Sequence, residues 1–448
     1  MSIPQQAGSE HITGKAQLVA YLAAGAKPRE DWRIGVEHEK FPFHLTDLSP
    51  VPYAGEEGIG ALLRGLTRFG WQEIKEQDTV IGLSKESANI SLEPGGQFEL
   101  SGAALKTIPE IEAELKQHFA EANEVAAALG IGFLNCGFHP AAKREEIPFM
   151  PKGRYAIMRA YMPKCGTRGL DMMQRTCTAQ VNLDFGDEAD MIAKLRVSLK
   201  LQPIATALFA NSPFIEGKTG AYVSERAAVW QNVDPERTGF MPFVFDEDFC
   251  FARYVDYALD VPMYFVFRDG RYIDASGQSF RDFLAGKLAA LPGVRPTLTD
   301  WADHLTTIFT DVRLKRYIEM RGADVGDSGM ILALAALWTG LLYDPAALAA
   351  AGELAATISL EALAALKNAV PKYGLDAEAG GLKALSITRE MLAIADAGLK
   401  ARGLGEERYL APLAEICASG RSPAARLRDA YAGEWGGDMT SLYKLNRY

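Results

Sequence analysis

Paired cysteines are missing from this chain. The five that occur, Cys136, Cys165, Cys177, Cys250 and Cys417, are odd in number, widely spaced and free of any C-x-x-C. This pattern argues against a disulfide framework and a thiolate zinc site, and it suits a reducing cytoplasm. The six histidines form no H-E-x-x-H or similar metal pair. A basic arm is missing too. The formal net charge is -10, so nucleic acid is not an expected partner. No apolar run is long enough to span a bilayer. The longest, Met330 to Leu342, is followed by Tyr343, Asp344 and Pro345 and reads as a buried helix, so no membrane is expected as a partner. The start, MSIPQQAGSEHITGKAQ, lacks the basic-then-apolar pattern of a secretory signal and the arginines of a transit peptide. The glycine loops that cradle nucleotides are also incomplete. EGKTG would need a leading glycine where Ser212 stands, and GIGALLRG would need one at Leu63.

What is present is an ordinary globular composition, 48% hydrophobic and 23% charged, with ample material for a core. Hydrophobic periodicity predicts helices over 15–24, 60–70, 108–129 and 190–209, and strands over 131–138, 177–185, 261–267 and 314–320. A strand-rich stretch covers 79–102. Beyond Gly326 alanine and leucine dominate, and helix follows helix to about Tyr431. The expected organisation is an α+β body over 1–325 and a helical C-terminal region over 326–448 that packs on it, since no linker divides them.

The stretch GVEHEKFPFHL raises a question of chemistry. As a strand it places Glu37, Glu39, Phe41, Phe43 and Leu45 on one face, with the two carboxylates roughly 7 Å apart. Carboxylates that leave water need partners. Either the strand end emerges into solvent, or the face builds a cation site. The pattern recurs. In ISLEPGGQFELSG, Pro94-Gly95-Gly96 is a turn between two short strands, with Ser91 and Glu93 sharing a face of the first and Gln97 and Glu99 a face of the second. In RTCTAQVNLDF, Gln180, Asn182 and Asp184 share a face. In RLKRYIEMRG, Tyr317, Glu319 and Arg321 do. Each strand alone fits a half-exposed sheet. Together, Glu37, Glu39, Glu93, Glu99 and Glu319 would repel one another without a cation. Magnesium suits carboxylate oxygens combined with substrate phosphates. Arg321 beside Glu319 would steady charge on a transferring phosphoryl group.

A second polar group lies mid-chain. Lys152, Arg154 and Arg159 occur in MPKGRYAIMRAYMPK, Arg175 and Thr176 in MMQRTCT, and Asn211, Arg226, Trp230 and Arg237 further on. Arginine forks suit an amino-acid carboxylate or a phosphate, and ordinary surface ion pairs suit the same residues.

The motifs GVEHEKF, SLEPGGQFELSGA, MPKGRYAIMRAYMPK, GLDMMQRTCTAQVNLDF, QPIATALFANSPFIEGK, YVDYALDVPMYFVFRDG, HLTTIFTDVRLKRYIEMRGAD and GEWG closely resemble the plant and proteobacterial type of glutamate–cysteine ligase. The resemblance covers the chain from about Asp31 to its end. It implies a glutamine-synthetase-like core, a curved antiparallel sheet with helices packed around it. It implies ATP-dependent joining of L-glutamate and L-cysteine to γ-glutamylcysteine, with ADP and phosphate released, magnesium required and glutathione inhibiting as end product. By the same resemblance Glu37, Glu39, Glu93, Glu99 and Glu319 match the metal-binding glutamates. Gln180 and Asn182 match the polar strand of that site, and Arg321 the arginine near the nucleotide phosphates. Arg154 and Arg226 match arginines near glutamate, with Trp230 and Tyr264 in matching pocket stretches and Thr176 close by in sequence. Glu37, Glu319 and Arg321 are the expected catalytic residues.

The chain departs from the plant pattern where redox cysteines would stand. Ala275 and Ala290 occupy the matching positions, so thiol–disulfide activation is not expected. A bacterial cytoplasm is the expected location. In the implied mechanism the γ-carboxylate of glutamate attacks the γ-phosphorus of ATP, and the cysteine amine then attacks the acyl phosphate, which a lid must keep from water. Two rivals are a ligase that joins glutamate to another amine, and a non-catalytic relative. The presence of all five glutamates speaks against the second.

Overall fold

The computed structural model describes residues 10–445. Residues 1–9 and 446–448 lie outside the described residues. The centre of the molecule is an eight-stranded sheet. Its strands run in the order Val312–Leu314, Ile318–Asp324, Thr178–Leu183, Ile34–His38, Phe98–Ser101, Ala88–Leu92, Thr79–Lys85 and Gln72–Glu76. Every pairing in it is antiparallel.

Alternation along the strands sorts the two faces. Val36, Val181, Leu183, Ile318, Met320, Ile90 and Leu100 are buried on one face. The register aligns Glu37 with Gln180 and Ser101, Glu319 with Asn182, and Ser91 with Glu99, so the polar positions share the other face. The apolar face is covered by helices. Glu188–Leu208 packs on Ile318–Asp324, and Ser328–Leu342 on Thr178–Leu183 and Ile34–His38. One cluster of buried apolar side chains runs from Ile12 to Tyr443, and no gap in it marks residue 325. No single helix among the described residues is long and apolar enough to cross a membrane.

Several elements differ from expectation. GVEHEKFPFHL is two strands, not one. Ile34–His38 lies in the large sheet, while Phe41–His44 pairs with Ile131–Leu134 in a separate ribbon. The chain changes sheets at Glu39 and Lys40, whose N–H groups donate to Thr178 and Phe98 carbonyls. Phe41 and Phe43 are buried, but Leu45 is exposed. The expected strand 314–320 is a hairpin that turns at Lys315–Tyr317, with the Lys315 N–H bonded to the Tyr317 carbonyl. The expected strand 261–267 begins only at Phe265 and pairs with Arg271–Asp274 across Asp269 and Gly270, both at positive φ.

Candidate active site

The polar face of the sheet opens into a cleft of about 550 Å³. Glu37 enters it from the Ile34–His38 strand and Glu39 from the residue just past its end. Glu93 and Glu99 enter from either side of the Pro94-Gly95-Gly96 turn, where Glu93 N–H meets the Gln97 carbonyl and Gly96 N–H meets the Glu93 carbonyl. Each glutamate is held from the side. Asn182 Nδ2 donates to Glu37 at 2.8 Å. Thr178 N–H donates to Glu39 at 2.9 Å. Ser91 and Ser101 hydroxyls donate to Glu99 at 2.8 and 3.0 Å. Tyr155 O–H reaches Glu93 at 3.4 Å.

Two of these carboxylates are set chiefly against other carboxylates. Burial pushes Glu99 up to about 8, and the neighbouring Glu93 and Glu37 push the same way. Glu39 is raised well above the carboxylate range by burial and then by Glu93 and Glu99, against the pull of Arg226 and the Thr178 N–H. Groups so placed bind a proton or a cation. A set of carboxylate oxygens is the donor chemistry of magnesium, so the residues suit that ion. Among the described residues, however, no three acidic, histidine or cysteine groups already converge on one point.

Glu319, expected among the metal ligands, has surroundings opposite to those of the other four glutamates. It is fully buried, and it is not among the residues lining the cleft. Arg313 grips it with Nε at 2.6 Å and Nη2 at 3.0 Å. Arg321 Nη1 lies 2.8 Å and Lys315 Nζ 3.3 Å away. Burial alone would raise its pKa, but the three cations hold it well below the usual range. Both oxygens are already occupied, so in this arrangement Glu319 orients arginines. Arg321 also donates to Gln180 Oε1 at 2.7 Å. Arg313 and Arg321 line the cleft.

Arg321 and Phe309 also border a second cleft of about 600 Å³, which contains Arg226, Trp230, Gln202 and Lys367. Arg226 is buried, donates from Nη2 to the Arg321 carbonyl at 2.8 Å, and leaves Nε without a hydrogen-bond partner among the described residues. Trp230 meets Phe309 edge-on at 5.9 Å. Arg154 lines the carboxylate cleft, its guanidinium 4.9 Å from the Phe265 ring centre.

Three expected site residues stand elsewhere. Tyr264 is fully buried, with its hydroxyl 3.3 Å from Met162 Sδ and the Arg237 guanidinium 3.9 Å from its ring centre. Packed on both sides, it reaches neither cleft. Thr176 ends the Gly169–Arg175 helix, its hydroxyl donating to the Met172 carbonyl and its carbonyl accepting from Gln97. Thr176 is a joint between elements and lines neither cleft. Asn182 supports Glu37 and lies outside the cleft lining.

The sequence reading missed Arg313 and Lys315. Reading 314–320 as one strand hid the hairpin that sets Arg313 opposite Glu319.

Comparisons with known proteins give the family and the fold. A family model described as glutamate–cysteine ligase family 2 matches residues 33–445. The chain is 52% identical over 422 residues to the chloroplastic glutamate–cysteine ligase of Medicago truncatula, covering 94% of this chain and 82% of that one. It is 51% identical over 431 residues to the chloroplastic enzyme of Arabidopsis thaliana, covering 96% and 82%. A crystal structure of glutamate–cysteine ligase from Francisella tularensis in complex with AMP shares the fold, with TM-score 0.58 at 12% identity over 93% of this chain and 87% of that one. The relatives are named chloroplastic, which overturns the expected cytoplasmic location.

Proposed function

Because the chain belongs to glutamate–cysteine ligase family 2, we propose that its carboxylate cleft activates the γ-carboxylate of L-glutamate with ATP for attack by L-cysteine. As a member it is an ATP-dependent ligase that joins glutamate to cysteine in glutathione synthesis. The observation that carries the finer reading is the set of four glutamates, two of them raised in pKa by burial and by one another, beside three arginines in one cleft.

Glu37, Glu39, Glu93 and Glu99 would hold magnesium, which when bound neutralises phosphate charge and polarises the γ-phosphoryl group. Arg321, braced by Glu319 and Gln180, faces the oxygens of the transferring phosphoryl group. Arg313 stands beside it, anchored on Glu319 and on the Thr306 and Ile308 carbonyls. Fixed donors of this kind need no reorganisation as charge moves. Arg226, with Trp230 in the adjoining cleft, takes the amino-acid end of glutamate. The γ-carboxylate oxygen then attacks the γ-phosphorus in line, ADP leaves, and γ-glutamyl phosphate forms. The cysteine amine attacks its carbonyl, phosphate leaves, and the amide remains. Residues 1–325 supply this chemistry, while 326–448 brace the sheet and contribute Lys367 to the second cleft. Feedback inhibition by glutathione, which carries the same γ-glutamyl group, belongs to this reading.

The test is label transfer. Glutamate with heavy oxygen in its γ-carboxylate should pass one labelled oxygen to phosphate for each γ-glutamylcysteine formed. Unlabelled phosphate would rule out the acyl phosphate.

A further inference from the structure

Arg226 sits on the short helix Glu225–Trp230, and the first N–H groups of that helix are capped in an unusual way. The Ser212 hydroxyl accepts from Arg226 N–H at 3.3 Å, and the Ser224 hydroxyl accepts from Ala227 N–H at 3.1 Å. Both hydroxyls donate to one carboxylate. Ser212 Oγ lies 2.6 Å from Asp324 Oδ2, and Ser224 Oγ 2.9 Å from Asp324 Oδ1. Asn211 N–H adds a third bond to Oδ2 at 2.8 Å. Asp324 is 1% exposed and ends the strand that carries Glu319 and Arg321. Gly137 makes room for it, since a Cβ there would lie 2.3 Å from the Asp324 carboxyl carbon.

We propose that Asp324 is a positioning residue that sets Arg226 for substrate by fixing both hydroxyls that cap the N-terminal end of its helix. The carboxylate uses its oxygens to polarise two hydroxyls, and each hydroxyl passes that orientation to one helical N–H. The start of the helix is pinned from a second side, where Val223 and Ser224 N–H groups meet the Pro371 carbonyl. Arg226 is thereby tied to the strand of Arg321, whose carbonyl its own guanidinium holds. Asp324 and then Glu39 are the carboxylates whose charge acts most on that buried guanidinium. An asparagine at 324 can accept on one side only. Its amide N–H₂ would meet either the Asn211 N–H and Ser212 hydroxyl on the Oδ2 side or the Ser224 hydroxyl on the Oδ1 side, so the two serines lose their common acceptor.

The inference rests on the reading of Arg226 as a substrate arginine, and the experiment separates the two. Asp324→Asn, Arg226→Ala and the double variant are assayed for KM of each substrate, kcat and Tm. Asp324→Asn should raise one substrate's KM about tenfold and change kcat less than about threefold. The affected substrate should be the one whose KM rises in Arg226→Ala, and the double variant should match Arg226→Ala. If both variants move ATP or cysteine and not glutamate, the glutamate reading of Arg226 fails and the positioning role stands. If they move different substrates, if their effects add in full, or if Asp324→Asn changes nothing, the positioning role is overturned. Should Asp324→Asn not fold, Ser212→Ala removes one cap, and the same pattern is expected at about threefold.

Discussion

At the scale of single residues, two kinds of buried glutamate share one sheet face. Glu319 is saturated by Arg313, Lys315 and Arg321, while Glu39 and Glu99 face other carboxylates. The second kind has a measurable consequence. The pKa of Glu99 is about 8 in the fold, against about 4.3 for an unperturbed glutamate. A raised folded pKa contributes stability that is complete below the unfolded value and is lost as pH rises through the folded one. In the absence of divalent ions, Tm should therefore fall between about pH 5 and about pH 8.5, and Glu99→Gln should flatten that slope. A wild-type Tm that climbs across this window, with Glu99→Gln parallel to it, would contradict the assignment. Arg226→Ala should raise the KM for glutamate more than that for ATP, by about tenfold or more. Steady-state kinetics with each substrate varied decides this, and the reverse ranking would move Arg226 to the nucleotide. Alternation put Glu37 with Glu39 on one face and left a half-exposed sheet open as the alternative, and Glu39 and Glu93 in fact lie just past the ends of their strands. The enclosure of Glu319 was not legible, because its partner Arg313 sits across a hairpin that the sequence pattern does not announce.

At the scale of elements, local signals were the readable ones. Pro94-Gly95-Gly96 announced its turn, whereas the capping box of Thr107 and Glu110 at the start of the Ile108–Ala128 helix was not read and appears only in the structure. The turn does more than reverse the chain. A Cβ on Gly95 would come within 2.3 Å of the Gln174 carbonyl oxygen, so only glycine lets the turn seat against the Gly169–Arg175 helix. Gly95→Ala should cost about 1–3 kcal/mol of stability by overpacking, and it should shift Glu93 and Glu99, raising the magnesium concentration needed for half-maximal rate. Denaturant unfolding and a magnesium titration together check this, and a variant unchanged in both would show the contact to be compliant. Register between distant strands was not readable. That Thr178–Leu183 lies between Ile34–His38 and Ile318–Asp324 is set by tertiary packing, and this pairing is what gathers the polar positions into one cleft.

At the scale of the molecule, the helices after Ser328 are part of the core. Ser328–Leu342 is apolar on all sides because it lies between the sheet and the Ala384–Arg402 helix. A chain ending at Gly326 should therefore expose the apolar face of the sheet and fail to give a cooperative unfolding transition. A folded, nucleotide-binding fragment of that length would contradict this account of the core. A buried helix over Met330 to Leu342 was legible from composition, but that it covers Thr178–Leu183 and Ile34–His38 was not. The resemblance identified in the sequence reached the fold and the reaction. The cleft geometry, with one glutamate enclosed and Tyr264 packed away, had to come from the structure. The central claim is that the four-glutamate cleft couples ATP cleavage to joining glutamate and cysteine. Phosphate release from magnesium-ATP, with glutamate and cysteine omitted in turn and the product identified by mass, tests it most directly. The account predicts sustained release only with both amino acids and γ-glutamylcysteine in equal amount. Release that ignores cysteine, or a product of another mass, would contradict it.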